Sequence, residues 1–373
     1  MKILEKGLVR GLPEASGLNS LTFPAMELLP SGRWLAGFRA ADKKKDGKQM
    51  QAMMTWSDDG GRSWVPPFEP VPLPPIGRPP GNSHSLYFLA LGGSRVLMVI
   101  NWVDASEPES PFFDPQHESL KDTRIYFSFS ENEGRDWSAP RLMDTGSAGG
   151  PVPLTGPPMY LGDGTLICQF EINKFRHDPK PWLHRSACLF SKDNGNSWGD
   201  LSLVTSEPGM YYWDQRPAVL PDGQALVNFF WTFDGRQNQY QNIHRAASRD
   251  GGKSWSQPKD TGIYGQPGRP VALKDGRLAL VAIDRREMPV IHAYISRDEG
   301  KTFDEAMRLE TLPSERQDSR YMKMQEAWAE MSRFSMGHPQ LMDLGNGQLL
   351  AYYYQGTHPD KTSIRFIRVE LGK

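Results

Sequence analysis

Apolar residues along this chain come in short runs, and nearly every run is cut by a turn bearing glycine or proline, a pattern that predicts strands rather than helices. Six stretches repeat one plan of strand, turn and strand: LLPSGRWLAGF from Leu28, LGGSRVLMVI from Leu91, YLGDGTLICQF from Tyr160, LPDGQALVNFF from Leu220, LKDGRLALVA from Leu273 and LGNGQLLAYYY from Leu344. Their mean spacing, Leu29 to Leu344 over five intervals, is 63 residues, so six such units account for nearly all 373 residues.

A second series is interleaved with the first: SDDGGRSW from Ser57, SENEGRDW from Ser130, SKDNGNSW from Ser191, SRDGGKSW from Ser248 and SRDEGKTF from Ser296. The shared pattern is S-x-D-x-G-x-x-W, with Asn132 in place of the Asp and Phe303 in place of the Trp in one copy each. Ser and Asp side chains bond nearby amides, Gly supplies a positive φ, and the aromatic ring packs down between sheets, so each copy is a hairpin staple. A unit of about 60 residues with four short strands is a propeller blade, and closing the ring removes exposed sheet edges. The predicted fold is all-β: one six-bladed β-propeller domain over residues 1–373, four antiparallel strands per blade. The sixth unit lacks the octapeptide and ends in SIRFIRVEL, so MKILEKGLVR is expected to supply the strand that closes the ring. One helix is expected between blades five and six, over Ser314 to Arg333, opened by a capping box of Ser314 and Gln317.

Composition adds exclusions. Lys+Arg 43 against Asp+Glu 44 leaves a net charge of −1, so no global field draws the chain to nucleic acid or anionic lipid. No apolar run approaches the roughly 20 residues that cross a bilayer, and the chain reads as soluble. Cys168 and Cys188 are too few for a disulfide framework; they either face each other on neighbouring strands or are two buried thiols. The first residues lack the apolar core of a secretory signal, which reads as cytoplasmic, or as secreted or periplasmic if a signal has been removed.

Strand direction sorts the loops. The D-G turns and octapeptides share one face; the other carries the starts of first strands, the ends of second strands and the long second-to-third loops, and is expected to hold the pocket. First-strand starts are Thr22-Phe23, Ser83-His84, Gly156-Pro157, Asp214-Gln215-Arg216, Gly268-Arg269 and Gly337-His338. Second-strand ends are Arg39, Asn101-Trp102, Gln169 and Glu171, Trp231, Asp284-Arg285-Arg286 and Gln355. Arg39, Arg216, Arg269 and Arg285 are placed either to converge on an anionic group or to pair with Asp214, Glu171 or Asp284. His84 and His338 are acid/base candidates or turn residues, His244 and His292 are structural, and no metal-ligand spacing or cofactor motif is visible. Two long loops, Asp104 to Lys121 and Asn173 to His184, are set to form a lid, whereas the Pro-rich stretch from Val65 wraps the outside.

The S-x-D-x-G-x-x-W repeats on six blades resemble the sialidase (neuraminidase) superfamily over essentially the whole chain. The resemblance implies three arginines on a sugar carboxylate, an acid/base Asp on the first-blade loop and a Tyr nucleophile activated by a Glu. LAGFRAADKKKDGKQ matches with Arg39 and Asp46, Asp42 being the fallback, although Asp46 among Lys43, Lys44, Lys45 and Lys48 also reads as a solvated charge cluster. Thr22 stands where an arginine is expected, Asp214 about where the Glu sits, Phe230 where another arginine is often found, with Arg216 as its substitute, and Arg285 or Arg286 near the third arginine. Phe334 stands near the tyrosine position, and Tyr321, Tyr352 or Tyr353 would need another route, so the tyrosine-nucleophile mechanism is not assigned. The expected activity is sialidase-like hydrolysis at a terminal acidic sugar, with Asp46 as acid, Asp214 or Glu171 as its counterpart, and Trp102, Trp213 and Trp231 as carbohydrate platforms. The alternatives are a polysaccharide lyase using His84 or His338 with a tyrosine on a uronate, and a propeller that binds sugar or peptide without chemistry.

Overall fold

The structure, a computed structural model, describes residues 1–45, 47, 49–77, 79–313 and 320–372. Six antiparallel sheets form the blades of a β-propeller, each running outward from the axis. Blade one is Ser20–Leu28, Trp34–Ala41 and Met50–Ser57, with a lone Met54–Phe68 bridge where a fourth strand would lie. Blade two is Gly81–Gly92, Arg95–Asp104, Thr123–Ser130 and Arg141–Leu142. Blade three begins with the two-residue strand Met159–Tyr160, blade four with Met210–Val219, and blade five with two fragments, Gln266–Pro267 and Val271–Ala272. Blade six is Met336–Gly345, Gln348–His358 and Lys361–Glu370, and Lys2–Leu8 adds its outermost strand, pairing Lys2 with Glu370 and Leu8 with Arg365. The ring closes as the sequence predicts.

The octapeptides show what holds neighbouring blades together. In the first, the Ser57 hydroxyl donates to Asp59 at 2.8 Å and accepts from the Gly61 amide at 2.8 Å, while Asp59 accepts from the Ser63 amide and hydroxyl at 2.9 and 2.6 Å. The aromatic ring that this turn carries packs between its own blade and the preceding one. Trp64 lies in the core between blades six and one, Trp137 between one and two, Trp198 between two and three, Trp255 between three and four, and Phe303 between four and five. The interface between blades five and six has no such ring; Met1 and Ile3 of the closing strand pack there.

The second copy departs from the pattern at two positions that compensate each other. Asn132 replaces the Asp, and Asp136 stands where the others have Ser or Thr; the Asn132 amide donates to Asp136 at 2.8 Å, reversing the direction of the usual bond. Two carboxylates facing each other there would repel.

One expectation changes, and one pair of alternatives resolves to two buried thiols. The helix spans Met324–Met331, and residues 320–323 before it are not helical, because Tyr321 bridges to Gln239; the Glu326 carboxylate accepts from the Lys323 amide at 2.9 Å. Ser314 and Gln317 lie outside the described residues. Cys168 and Cys188 are free and buried but do not face each other: Cys188 lies opposite Gln169, and the two thiols enter different interblade cores. Burial pushes the Cys168 thiol up to about 12. The Pro-rich connector packs Val71, Leu73 and Ile76 against the core of blades one and two, and Pro74 accepts from the Tyr126 hydroxyl at 3.2 Å.

Candidate functional site

The first strand of four blades carries the same irregularity. Pairing slips between Thr22 and Ala25, Ser83 and Ser85, Trp213 and Arg216, and Gly337 and Gln340. A bulge re-aims a side chain out of the pleat, and here it presents Phe23, His84, Asp214 and His338 to one cavity. Phe23, Asp214 and His338 have φ of 52°, 51° and 47°, a region that non-glycine residues seldom occupy outside functional or turn positions. Pro24 and Pro339 follow two of them and lose no ladder hydrogen bond where the ladder is already broken. The cavity, about 580 Å³, opens on the face opposite the octapeptides.

Charge is concentrated on its floor. Asp214 receives the Gln266 side-chain amide at 2.6 Å on one oxygen and lies 3.3 Å from the Arg216 guanidinium on the other. Burial acts to raise its pKa, but the Arg216 guanidinium, the Gln266 amide and Arg285 help to outweigh it and hold the carboxyl below the usual range. Gln266 is fixed in turn, its carbonyl accepting from Arg285 at 3.1 Å; Arg285 also donates to the Met336 carbonyl at 3.0 Å and lies 4.0 Å over the Phe334 ring. The Asp214 backbone amide donates to Glu171 at 2.7 Å, and the other Glu171 oxygen is 3.2 Å from Nε2 of the buried His184. This clasp explains how a non-glycine residue keeps its positive φ.

Across the floor, Arg39 donates to the carbonyls of Lys43 and Lys44 at 3.1 and 2.9 Å and meets His84 at 3.5 Å. Burial draws the Arg39 guanidinium down to about 10. Lys44 Nζ donates to the Tyr354 hydroxyl at 2.9 Å and to the Phe334 carbonyl. His338 is drawn down to about 3, first by burial and then by Arg216, Lys44 and Arg285 against the opposing pull of Asp214. His84 is lowered well below its ordinary value by burial, Arg39 and His338. Both imidazoles are therefore neutral at physiological pH, packed against Phe23 at 4.6 and 4.5 Å.

Of the residues selected from sequence, Arg39, His84, Glu171, Trp213, Asp214, Trp231, Arg285 and His338 line the cavity. Three others lie elsewhere. Arg216 is buried beneath the floor, behind Asp214. Arg269 turns away to the partly buried Glu27, 3.9 Å off, whose pKa is raised by desolvation. Trp102 packs in the core between blades one and two against Gly81, because strand alternation points Asn101 inward and its neighbour outward. Asp46 lies outside the described residues; Lys45 and Gly47 beside it line the cavity. Asp42 instead accepts from the Gln49 amide at 3.2 Å, and Arg286 pairs with Asp284 at 2.6 Å on the surface. Phe334 does line the cavity, but Phe230 is core, Tyr353 donates outward to Glu310, and Tyr321 is exposed.

The tyrosine that faces the cavity is Tyr354, next in the same YYY run. Sequence reasoning also missed Lys44 and Gln266, and it left the aromatic roof unassigned. The Asp104–Lys121 insertion folds into a small hairpin, Phe113–Asp114 paired with Ser119–Leu120, whose Phe113 stacks on Trp328 of the helix at 4.5 Å and 12°. Phe112 stacks in parallel on His84 at 5.5 Å. Trp213 meets Trp328 edge-on at 6.1 Å, and Trp231 stacks on Tyr240 at 5.1 Å. Two insertions from opposite parts of the ring thus meet above the floor.

A family model described as BNR repeat-like domain matches residues 112–351. No curated protein matches by sequence. Among solved structures, a protein of unknown function from Dyadobacter fermentans is similar with a TM-score of 0.76 at 18% identity, covering 100% of this chain and 99% of that one. The Hadza microbial sialidase Hz136 is similar with a TM-score of 0.67 at 16% identity, covering 96% of this chain and 67% of that one. The intramolecular trans-sialidase from Ruminococcus gnavus, solved with oseltamivir carboxylate, gives 0.62 at 14% identity and covers 95% of each chain. At these identities the likeness is one of fold.

Proposed function

This chain belongs to the BNR repeat-like domain family, and from that premise we propose that it is a sialidase-like glycoside hydrolase that releases a terminal acidic sugar. One observation carries the reading: Arg39, Lys44 and Arg285 line the floor of one cavity together with Asp214, whose carboxyl is held below the usual range. Guanidinium and ammonium groups in a dry site bind a carboxylate far better than in water. Sialidases of the same fold support a carbohydrate ligand.

In this reading the cations hold the sugar carboxylate, and Asp214 stabilises the positive charge that develops at the anomeric carbon as the glycosidic bond breaks. The leaving oxygen takes a proton, for which Asp46 is the candidate donor by its place in the first-blade loop. Water supplies the hydroxyl to the anomeric carbon and gives its remaining proton to a carboxylate, Glu171 being the candidate. His84 and His338, being neutral, add no competing positive charge.

A second reading rests on that same neutrality. A lyase needs an uncharged imidazole to take the proton beside a uronate carboxylate and a tyrosine to return one, and His338 and Tyr354 line the cavity with the cations that would bind that carboxylate. Incubating purified protein with sialosides, uronate oligosaccharides and neutral aryl glycosides separates the two. New reducing ends without unsaturated-uronate absorbance support hydrolysis, both signals together support the lyase, and silence in both channels overturns either chemistry.

A further inference from the structure

The cavity is divided by polarity. Its charged groups project from strand ends on the floor, whereas the wall above is built by insertions outside the repeat and is mostly aromatic and aliphatic: Phe112, Phe113, Leu120, Trp328 and Met331, with Trp213 below them. Most polar side chains of these insertions are engaged elsewhere or face solvent: Ser332 donates to the Ala329 carbonyl at 2.6 Å, and Asp104 accepts from the Ser106 amide at 2.8 Å. Lys121 donates to the Glu107 carbonyl at 2.7 Å, and Glu109 and Gln325 are exposed. A second sugar could lay one face on these rings, but its hydroxyls would need partners, and proline, phenylalanine, leucine and methionine side chains offer none. An apolar group needs no such partners.

Phe112 and Trp328 are only half-buried although each stacks on a neighbouring ring, so each keeps apolar surface turned to the cavity. The stack also fixes the roof, since Phe113 and Trp328 come from insertions some two hundred residues apart and lie nearly parallel. It is a preformed apolar subsite rather than a loop that has yet to order.

We infer that the aromatic roof is the subsite for the leaving group, and that the substrates of this protein are acidic-sugar conjugates of an apolar, alkyl or aryl, aglycone rather than the ends of longer glycans. This rests on the carboxylate-binding floor proposed above and adds what sits over it. Phe112 and Trp328 are then the specificity-determining residues.

Non-hydrolysable S-linked glycosides separate aglycone binding from leaving-group chemistry. Isothermal calorimetry would compare S-methyl and S-octyl glycosides of glucuronic and N-acetylneuraminic acid, an S-linked disaccharide of each, and octyl thioglucoside, all below the micelle-forming concentration. The octyl acidic glycoside is expected to bind at least tenfold more tightly than the methyl one, a gain that two to three buried methylene groups suffice to give. Trp328→Ala and, as a second and less buried change, Phe112→Ala are expected to remove most of that gain while leaving methyl glycoside affinity within about twofold. Equal binding of methyl and octyl compounds, or tighter binding of the disaccharide than of the octyl glycoside, would overturn the apolar subsite while leaving the floor intact. Octyl thioglucoside binding as tightly as the octyl acid would sink the floor and leave the subsite standing. No binding by any probe would overturn both.

Discussion

The two faces of the propeller both carry aspartates held at low pKa, and they achieve it by opposite means. On the turn face, hydrogen bonds do the work. At Asp59 the Ser63 hydroxyl leads; at Asp193, Asp250 and Asp298 burial is the largest single influence and a raising one, but the hydroxyl and amide donors of the same octapeptide together outweigh it, so all four lie at about 2. Their acceptor capacity is used within eight residues, and the arrangement recurs around the ring. On the opposite face Asp214 is held by cations and an amide from other parts of the chain, and its surroundings are unlike those of any other blade. Repetition marks what builds the ring; the departures from repetition mark where chemistry can occur.

The largest test of that contrast is Asp214→Asn. Asparagine tolerates φ near 51°, so the fold should persist while turnover of an acidic glycoside falls by about 10³-fold. A loss below tenfold would separate Asp214 from the reaction. Next is Arg285→Gln, expected to raise KM for an acidic substrate by roughly 10- to 100-fold and to leave binding of a neutral analogue nearly unchanged, read from paired kinetics and calorimetry.

Acid titration distinguishes the faces by window. His338 is neutral in the fold down to about 3, whereas an unfolded imidazole takes a proton near 6.5. Between those values the unfolded state binds more protons, so stability falls as pH falls, by up to about 1.4 kcal/mol per pH unit for each such histidine. His84 adds in the same direction. The turn-face aspartates act lower: their depressed values contribute stability above the unfolded value near 4, and that contribution is lost as pH falls through about 2. Denaturant melts of His338→Asn should show a shallower slope only in the upper window.

The smallest effect concerns the reversed octapeptide. Asn132→Asp would set two carboxylates against each other where an amide now donates, costing about 1 kcal/mol in a denaturant midpoint. Adding Asp136→Ser should restore the loss by recreating the arrangement of the other copies; an additive double mutant would show that the pair does not interact.

How much of this was legible follows from the same contrast. Ser57 to Trp64 and its four echoes were readable because their bonds are local, and so was the face of the cavity, which follows from strand direction alone. Arg39, Asp214, Arg285 and His338 reach the cavity from fixed blade positions, which the repeat register makes readable. Trp102 was misplaced by one residue of strand alternation, and Arg269 by a blade whose first strand is broken into two fragments. Lys44 looked like one of four solvated lysines, and only its tertiary neighbours Phe334 and Tyr354 distinguish it. Phe112, Phe113 and Trp328 belong to insertions without a repeat register, so nothing in their spacing announced that they would meet.

The closing strand sets a timetable for biogenesis. Lys2–Leu8 is synthesised about 350 residues ahead of its partner Lys361–Glu370. At a few to some twenty residues per second, the two are separated by on the order of tens of seconds. In the last part of that interval the outward face of blade five, with Ile291, Ala293 and Ile295 awaiting the sixth blade, is open to other chains. The seam between blades five and six therefore stays open to misassociation until Lys361–Glu370 is made, and the pairing that closes the ring also ends that exposure.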